Sequence, residues 1–313
     1  MANYITIDGG TTNTRLSLVM NGSVTTTLKY PIGARASIDG VEPLKKAIGE
    51  GISRLLADVA LTEEDIECVI ASGMITCEYG LCELAHLTAP AGIKDLADGM
   101  VMKQFPDISP LPFYFIRGVK TTGDLLSADM MRGEETELVG IMGDEPAGTY
   151  ILPGSHSKIV KVDGDGRIID FCTTLTGEMI HALSTETILK STVDLDSKLC
   201  KEALFEGFDI ATSIGLNAAL FKVRTMKNLF YRSSAEAYSF FLGAVLSEEM
   251  SIVTKRNPER VVIGGKRQLR EASALLLDKL VSCPVIPLSD KAVESSTTIG
   301  AIRIYEFRKS FTK

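Results

Sequence analysis

Two stretches of this chain carry the same order of strand, glycine-rich turn, strand and hairpin. Gly10 and Gly154 lie in the two glycine-rich turns, and Gly22 and Gly166 lie in the two hairpins; both pairs are 144 positions apart. A constant offset over two independent turn signals predicts a duplicated unit. With 313 residues and roughly 150 residues per domain, the chain is expected to form about two domains.

Local patterns predict a mixture of strands and helices, and therefore an α/β chain. Asn21-Gly22 and Asp165-Gly166 predict tight hairpin turns, because such pairs adopt positive φ easily. Outside the repeats, apolar spacing predicts helices over 44–59, 79–87, 123–131, 135–142, 234–255, 269–280 and 297–309, and strands over 67–71, 113–116, 260–263 and 285–286.

Charge and hydropathy exclude several classes of protein. The chain has 33 Lys and Arg against 40 Asp and Glu, a net charge of −7, which argues against non-specific nucleic-acid binding. No apolar run approaches the roughly 18 residues of a membrane helix, so no membrane association is expected. A signal peptide is not expected either, because the first residues lack a cationic segment and Asp8 interrupts the apolar run.

Cysteine and histidine usage indicates a reducing compartment and no zinc. The six cysteines are scattered without a CxxC pair, which is typical of reduced thiols in a cytoplasmic protein. None of the three histidines lies near a cysteine pair, so a structural zinc site is not predicted.

The first glycine-rich turn, Asp8–Asn13, has the composition of a phosphate-binding turn. Glycines let backbone N–H groups approach phosphate oxygens, and threonine hydroxyls add donors. A carboxylate at the end of the preceding strand can hold hydrated Mg²⁺ against the phosphates. A surface hairpin with an aspartate cap is the alternative. The candidate residues are Asp8, Gly10, Thr11, Thr12 and Asn13.

The second turn, Gly154–Lys158, has a similar composition but no equivalent carboxylate. Leu152 stands where the first copy has Asp8, so only the first turn supplies an acid. His156 is either a hydrogen-bond donor to phosphate or a solvated turn residue. Two such turns in a duplicated protein would hold a phosphate chain from both sides.

Two further segments can carry chemistry. Arg132–Thr136 (RGEET) contains Glu134, which is either a base for a substrate hydroxyl or a cap of the helix that follows. Gly264 and Gly265 follow a buried strand and open a helix, where adenine can lie close to the backbone; a plain strand-to-helix turn is the alternative. The chain has no GxxxxGK[ST] and no GxGxxG segment, which disfavours a P-loop or a standard dinucleotide site.

Together these segments identify a family resemblance over nearly the whole chain. Residues 7–15, 131–140, 152–158 and 175–178 resemble the 2-dehydro-3-deoxygalactonokinase family, which belongs to the actin-like superfamily of sugar kinases, chaperones and actin. RGEET and PGSHSK are the most specific segments. Residues 264–265 and 294–301 look like the adenosine and connecting motifs of sugar kinases in general.

The resemblance implies two ribonuclease-H-like domains, as in actin-like ATPases, with ATP in the cleft between them. The implied N-terminal domain spans residues 1–143, on the sugar side, with a closing helix 298–313 that packs back on it. The implied nucleotide-side domain spans 144–297. Asp8 would organise Mg²⁺, the two turns would bind phosphates, and the glycine pair would hold adenosine. The implied ATP-binding residues are Gly10, Thr11, Thr12, Asn13, Gly154, Ser155, His156, Gly264 and Gly265.

On the sugar side, the resemblance implies Glu134 as the catalytic base, with Glu135 as the second candidate. The resemblance implies that Arg15 and Arg132 contact the sugar-acid carboxylate or the transferring phosphoryl group, with Arg132 also among the catalytic residues. Gly73 and Met74 are implied to line the sugar site, where Glu134 also contacts the substrate. One segment departs from the family pattern. Residues 73–81 read GMITCEYGL, where the family typically has Gly-Met-Ile/Val-Gly-Ser and often a Gly-Trp pair, and this chain has no Trp.

The resemblance thus implies ATP- and Mg²⁺-dependent phosphorylation of the 6-hydroxyl of 2-dehydro-3-deoxy-galactonate. The product would feed an aldolase in cytoplasmic galactonate catabolism. The expected partners are a sugar acid and ATP, and a homodimer is left open. Two alternatives remain: a kinase of the same fold for another sugar or sugar acid, and a non-kinase ATP-binding module of the superfamily. A purely structural protein would leave the matched turns and Asp8 unexplained.

Overall fold

The computed structural model describes residues 2–311. Two compact units divide the chain. The first contains the residues through Pro146, Val162–Asp170 and the chain from Lys291 onward, and the second contains Ala147–Lys161 and Phe171–Asp290. The domain limits expected from the sequence, 1–143 with 298–313 and 144–297, stay a prediction.

Strands and helices alternate along most of the chain. The strands are β1 (Tyr4–Gly9), β2 (Thr14–Met20), β3 (Ser23–Tyr30), β4 (Cys68–Gly73), β5 (Leu87–Thr88), β6 (Val101–Phe105), β7 (Ser109–Phe115), β8 (Val119–Lys120), β9 (Met130–Met131), β10 (Gly148–Leu152), β11 (Ser157–Val162), β12 (Ile168–Thr174), β13 (Val261–Ile263) and β14 (Val285–Pro287). The helices are α1 (Glu42–Ala57), α2 (Ile93–Asp98), α3 (Glu134–Ile141), α4 (Thr176–Glu186), α5 (Lys201–Ile214), α6 (Leu216–Phe230), α7 (Ser234–Lys255), α8 (Arg267–Leu280) and α9 (Asp290–Phe311).

The first unit is built on a six-stranded sheet with the order β3-β2-β1-β4-β7-β6. β1 pairs antiparallel with β2 and parallel with β4, and β4 pairs parallel with β7. The carboxyl ends of β1, β4 and β7 therefore lie at one edge of the sheet, which is where ligands of open α/β sheets bind. The apolar face of α1, with Leu44, Ile48 and Ile52 buried, packs in the same core as residues of β1, β2 and β4.

The second unit contains a five-stranded sheet with the order β12-β11-β10-β13-β14. Strands β12, β11, β10, β13 and β14 thus occupy the places that β3, β2, β1, β4 and β7 occupy in the first sheet. The central pair is parallel in both sheets: β10 pairs with β13 as β1 pairs with β4. Strand β10 begins at Gly148, 144 positions after the start of β1 at Tyr4. The repeated strand order and the constant offset agree with the duplication predicted from the turns.

Each unit contains a pair of helices that cross at glycines. In the first unit, a Cβ at Gly140 or at Gly300 would overlap a carbonyl oxygen of the opposite helix, so α3 and α9 touch backbone to backbone. In the second unit, Gly207 of α5 and Gly243 of α7 do the same. A side chain at these positions would force the helices apart, so glycine is needed for the close crossings.

Most predicted elements are confirmed, but two predicted helices are wrong. Residues 79–87 form turns that lead into β5, and residues 123–131 form a turn that leads into β9. The Asp124 side chain accepts hydrogen bonds from the N–H groups of Leu126 and Ser127, which competes with helix formation. In the hairpins, Asn21 and Gly22 have positive φ as predicted, whereas in the second hairpin Gly166 does and Asp165 does not.

Two further observations concern the cysteines and the possibility of a membrane-crossing helix. All six cysteines are free thiols. Within residues 2–311, no helix has the length and the apolar content that crossing a bilayer requires.

Candidate active site

The first glycine-rich turn leaves several backbone donors free at the carboxyl end of β1. Its ends are closed by a hydrogen bond from Gly10 N–H to the Asn13 carbonyl, 2.8 Å long. The Ala34 and Arg35 N–H groups donate to the carbonyls of Gly10 and Thr11, which fixes the turn from behind. Within residues 2–311, no atom accepts from the N–H groups of the three residues that form the tip. These free donors belong to Thr11, Thr12 and Asn13.

Asp8 and Arg15 form an ion pair across the two strands that flank this turn. They are direct cross-strand partners in the β1–β2 register, and Arg15 Nη1 lies 3.5 Å from Asp8 Oδ2. The Asp8 side chain is one-third exposed (33%). Burial raises the pKa of the Asp8 carboxyl above its ordinary value, and the Arg15 guanidinium acts in the opposite direction. Asp8, near the carboxyl end of β1, is thus accessible and has a single cationic partner, Arg15, among the described residues.

Behind this pair lies a polar cavity of about 20 Å³, enough for one water molecule. Asp8, Arg15, Thr6, Ser72 and Glu294 contribute to its wall. Ser72 is fully buried, and no described atom is a hydrogen-bond partner of its Oγ. A water molecule there would satisfy this hydroxyl.

Gly73 brings the end of β4 directly against the end of β1. It has a φ of +83°, and a Cβ there would overlap the Gly9 carbonyl oxygen. Met74 follows as the first residue of a short 3₁₀ turn, Met74–Thr76. Gly133 packs on the other side of Gly73, since a Cβ at Gly133 would lie 3.2 Å from the Gly73 Cα. The close packing places the residues before α3 beside the first turn.

Two carboxylates at the start of α3 hold backbone donors. Glu134 Oε2 accepts the Arg132 N–H at 3.0 Å. Both oxygens of Glu135 accept the Gly133 N–H, at 2.9 and 2.8 Å, and Oε1 also accepts the Thr136 hydroxyl at 3.0 Å. Glu135 is fully buried, whereas Glu134 is half-buried. Each acid thus holds a backbone N–H of the residues just before α3, and Glu134 is the one with access to solvent.

Glu137 is a third acid of this helix that the sequence analysis assigned no role. Burial raises its pKa to about 8, and the charges of Glu134 and Asp8 add to this effect while Arg15 opposes it. Burial also raises the pKa of Glu135 to about 8, with a further contribution from Glu134. Glu137 lies three residues after Glu134, so both occupy the same face of α3. That spacing was the available sequence signal for Glu137.

The Arg132 guanidinium lies among backbone carbonyls. Nη1 donates to the Thr76 carbonyl at 2.6 Å, to Thr76 Oγ1 at 2.7 Å and to the Leu84 carbonyl at 3.2 Å. Nη2 donates to the same Leu84 carbonyl at 3.2 Å and faces His86 Nδ1 at 3.3 Å. The residues that it binds are 46 to 56 positions away, and no local pattern pointed to them.

In the second unit, the turn after β10 is held by the first residues of α4. Glu178 N–H donates to the Ser155 carbonyl at 3.1 Å, and a Cβ at Gly177 would overlap the Gly154 carbonyl oxygen. His156 Nε2 lies 3.1 Å from Glu178 Oε1, and both side chains are exposed. The turn therefore presents its tip to solvent, as the first turn does.

Gly264 and Gly265 pack against the start of this second turn. Gly264 N–H donates to the Ile151 carbonyl at 2.8 Å, and Lys266 N–H to the Pro153 carbonyl at 3.3 Å. Gly265 has a φ of +67°, and a Cβ there would overlap the Pro153 carbonyl oxygen. The structure thus brings together the predicted adenosine residues and the predicted phosphate residues of the second unit.

The donor set around Asp8 fits Mg²⁺ that arrives with a nucleotide. Among residues 2–311, no group of three or more His, Cys, Asp and Glu side chains could hold a metal ion. Mg²⁺ in phosphoryl-transfer sites typically uses one or two carboxylates, water and substrate phosphates. A single accessible aspartate beside free backbone donors matches that requirement.

The shared strand order of the two sheets gives a mixed α/β protein with an actin-like ATPase fold. The chain belongs to the 2-keto-3-deoxy-galactonokinase family, whose model matches residues 8–295. It is 27% identical over 256 residues to the 2-dehydro-3-deoxygalactonokinase of Escherichia coli (strain K12), which covers 80% of this chain and 80% of the relative. The protein is accordingly a sugar-acid kinase, a phosphotransferase with an alcohol acceptor, for which ATP is the implied phosphoryl donor.

Solved structures support the fold. A crystal structure described as a 2-dehydro-3-deoxygalactonokinase from Sinorhizobium meliloti superimposes with a TM-score of 0.75 at 21% identity, over 97% of this chain and 99% of that one. An activator of 2-hydroxyisocaproyl-CoA dehydratase from Clostridium difficile, solved with ADPNP, has a TM-score of 0.51 at 13% identity, over 99% and 97%. At these identities the two structures bear on the fold alone.

Proposed function

We propose that this kinase transfers the γ-phosphoryl group of ATP to the 6-hydroxyl of 2-dehydro-3-deoxy-galactonate. The observation that carries the proposal is the family match over residues 8–295, which includes Asp8, the first turn and the RGEET segment. A cytoplasmic location, a role in galactonate catabolism and a product that feeds an aldolase belong to the same proposal.

In this proposal the two glycine-rich turns bind the phosphates of ATP. The free N–H groups of Thr11, Thr12 and Asn13 are donors that phosphate oxygens require. In the second unit, Gly154, Ser155 and His156 would supply the matching donors. The adjoining glycines Gly264 and Gly265 would hold the adenosine group, and their packing on Pro153 supports this assignment.

Proton transfer falls to Glu134. Its carboxylate would accept the proton of the 6-hydroxyl while that oxygen forms a bond to the γ-phosphorus; the bond from the γ-phosphorus to the β–γ bridging oxygen breaks, and ADP leaves. The proton then passes from Glu134 to solvent. Glu135 is the second candidate, but it is fully buried and both its oxygens hold the Gly133 N–H.

The metal would be held at Asp8. When bound, Mg²⁺ neutralises the negative charge that develops on the β- and γ-phosphates. Asp8 would orient the metal's water ligands, and Arg15, which opposes the rise in the Asp8 pKa that burial causes, would contact the sugar acid or the transferring group. Gly73 and Met74 would line the sugar site next to the first turn.

A different 2-keto-3-deoxy sugar acid is the second candidate substrate. The observation in its favour is the 73–81 segment, where Glu78 is exposed and the family pattern is absent. An acidic side chain near an anionic substrate is unfavourable unless it points away from it.

A substrate panel tests the proposal. ADP release would be measured in a coupled assay over 2-keto-3-deoxy sugar acids, neutral hexoses and ketoses, and the phosphorylated position would be assigned by ³¹P–¹H correlation. We expect the highest kcat/KM for 2-dehydro-3-deoxy-galactonate, with phosphate on the 6-oxygen. A higher kcat/KM for another acid would support the second candidate, and ATP hydrolysis that no sugar acid affects would contradict both.

A further inference from the structure

The Arg132 side chain joins two parts of the first unit that are far apart in sequence. Its two Nη groups donate to the carbonyls of Thr76 and Leu84, to the Thr76 hydroxyl and to His86 Nδ1. Each Nη group of an arginine carries two N–H donors. Both Nη groups are therefore committed to protein acceptors. A substrate carboxylate could bind them in the usual bidentate way only by displacing these contacts.

Thr76 extends this contact to the first turn. It is fully buried, and its hydroxyl donates to the Gly73 carbonyl at 3.0 Å while it accepts from Arg132 Nη1 at 2.7 Å. Gly73 in turn packs against Gly9 on one side and Gly133 on the other. The Thr76 hydroxyl thus connects the Arg132 guanidinium to Gly73, which lies between the end of β1 and the start of α3.

His86 acts as a neutral acceptor at the other end of the segment. Burial lowers the pKa of His86 to about 4, and the positive charges of Arg132 and Lys120 lower it further. Its Nδ1 therefore has a lone pair that faces Arg132 Nη2. Gly118 packs against the ring, because a Cβ there would lie 2.7 Å from His86 Cδ2. The imidazole is held in place between these neighbours.

The residues between Thr76 and Leu84 fold back on themselves. Cys82 N–H donates to the Ile75 carbonyl at 3.3 Å and Leu84 N–H to the Thr76 carbonyl at 3.0 Å. A Cβ at Gly80 would overlap the Ile75 carbonyl oxygen, so the chain passes very close to itself. Arg132 binds both ends of this loop, Thr76 and Leu84, and leaves Glu78 and Tyr79 exposed at its tip.

We propose that Arg132 is a positioning residue: it closes the loop Thr76–Leu84 beside Glu134 and supports the proposed reaction through these contacts, not by binding the substrate. The backbone of Arg132 supports this role, since its N–H is the group that Glu134 Oε2 accepts. One residue thus holds the loop through its guanidinium and the candidate base through its amide. This assignment differs from the direct substrate contact expected from the sequence. Its kinetic part rests on the proposed function, and its structural part does not.

Hydrogen exchange of the loop amides, combined with kinetics, tests the proposal. Arg132→Gln removes the cation and most of the donors, and Arg54→Gln, at an exposed position of α1, is the matched control. We expect Arg132→Gln to raise the exchange rates of the Cys82 and Leu84 amides about tenfold or more, with Arg54→Gln unchanged. Arg132→Lys should fall between, because one ammonium cannot reach Thr76, Leu84 and His86 together.

Kinetics separate positioning from direct contact. The probes are the sugar acid and its neutral C1 amide. If Arg132 only positions the loop, Arg132→Gln lowers kcat/KM for both by the same factor and leaves the KM for ATP unchanged. Unchanged exchange together with a selective loss of the acid over the amide would overturn the proposal and restore the direct contact. Should no sugar acid be phosphorylated by the wild type, the proposed function fails, while the exchange rates still decide the role of Arg132 in the loop.

A second pair of variants covers the case in which Arg132→Gln does not fold. Thr76→Val removes the buried hydroxyl at nearly constant volume, and Thr76→Ser keeps it. Faster exchange at Leu84 in Thr76→Val, with rescue in Thr76→Ser, would support the proposal. Equal exchange in both would contradict it, because the hydroxyl would then have no part in closing the loop.

Discussion

The two glycine-rich turns occupy equivalent places in the two sheets but have different chemical neighbours. The first follows β1, and the second follows β10, with the same strand order around each. Asp8 stands at the end of β1, whereas Leu152, which is buried, ends β10. The first turn has the Asp8–Arg15 ion pair beside it, whereas the second has the exposed His156–Glu178 pair and the glycines Gly264 and Gly265.

This difference is the basis on which we propose two roles for one repeated scaffold. Both turns combine glycines, whose backbone N–H groups can approach phosphate oxygens, with hydroxyl side chains such as Thr12 and Ser155 that add donors, and both are proposed to bind phosphate. The proposed proton transfer and metal binding need carboxylates, and the two proposed for these roles, Glu134 and Asp8, lie in the first unit. These two carboxylates distinguish the proposed catalytic half from the proposed nucleotide half.

Removing the proposed base should produce the largest difference between the two halves. Glu134→Gln is expected to lower kcat by roughly 10²–10⁴-fold, because the 6-hydroxyl would lose its proton acceptor. Steady-state kinetics and thermal melting would be measured together. The matched variant is Glu186→Gln, at the exposed last residue of α4 in the second unit, for which kcat should stay close to wild type. A lower Tm with intact kcat in Glu134→Gln would show that capping Arg132 N–H is its whole role.

Asp8 should be the next most sensitive position. Asp8→Asn keeps the shape of the side chain and removes its charge, so turnover is expected to fall roughly 10²-fold and the Mg²⁺ requirement to rise. Leu152→Met, at the equivalent position, conserves volume and should leave turnover unchanged. Turnover would be followed across a Mg²⁺ titration. Wild-type behaviour of Asp8→Asn would remove Asp8 from the mechanism and erase the distinction between the turns.

Gly177 offers a way to disturb the second turn alone. Gly177→Ala would force a Cβ into the Gly154 carbonyl, and we expect the Kd for ATP to rise about tenfold while the KM for the sugar acid stays constant. Gly164→Ala is the control, because its Cβ would meet open space. Calorimetric titration measures the ATP affinity. A change in sugar-acid KM of equal size would mean that the second turn is not confined to nucleotide binding.

The smallest expected effect is on the pH dependence of stability. Burial raises the pKa of Glu135 to about 8 from an ordinary 4.5, so the folded state holds a proton that the unfolded state releases. The contribution of Glu135 to stability is therefore complete below pH 4.5 and is lost as the pH rises toward about 8. Glu135→Gln should reduce the slope of unfolding free energy against pH over this interval, as measured by urea denaturation. If the slope of unfolding free energy against pH were the same in Glu135→Gln as in the wild type, Glu135 would not be the group that holds the extra proton in the folded state.

The duplication and most of the elements were predictable because they depend on local patterns. Hairpin pairs and strand-end glycines are short-range signals, and helix α7 shows its full period in the sequence. The predicted helix over 79–87 failed because Gly80 must pass close to the Ile75 carbonyl and Arg132, 48 positions beyond Leu84, holds that segment in turns. No limits were predicted for helices α4, α5 and α6, which lie between the second hairpin and α7.

In the candidate site, too, residues that belong to local sequence patterns could be predicted and contacts between remote positions could not. Asp8, the turns and the RGEET segment could be found from residue types in sequence, and their assigned roles stay predictions. The contacts of Arg132 with Thr76 and His86 could not, because they join remote positions through a guanidinium whose partners are mainly backbone carbonyls, which any residue carries.

The most direct test of the central claim is a calorimetric titration of Mg²⁺·ATP and of adenosine against two turn variants, Thr12→Ala and Ser155→Ala. If both turns bind phosphates, each variant weakens ATP binding and leaves adenosine binding unchanged. ATP binding that equals wild type in either variant would contradict the claim for that turn, and equal binding in both would refute the shared role altogether.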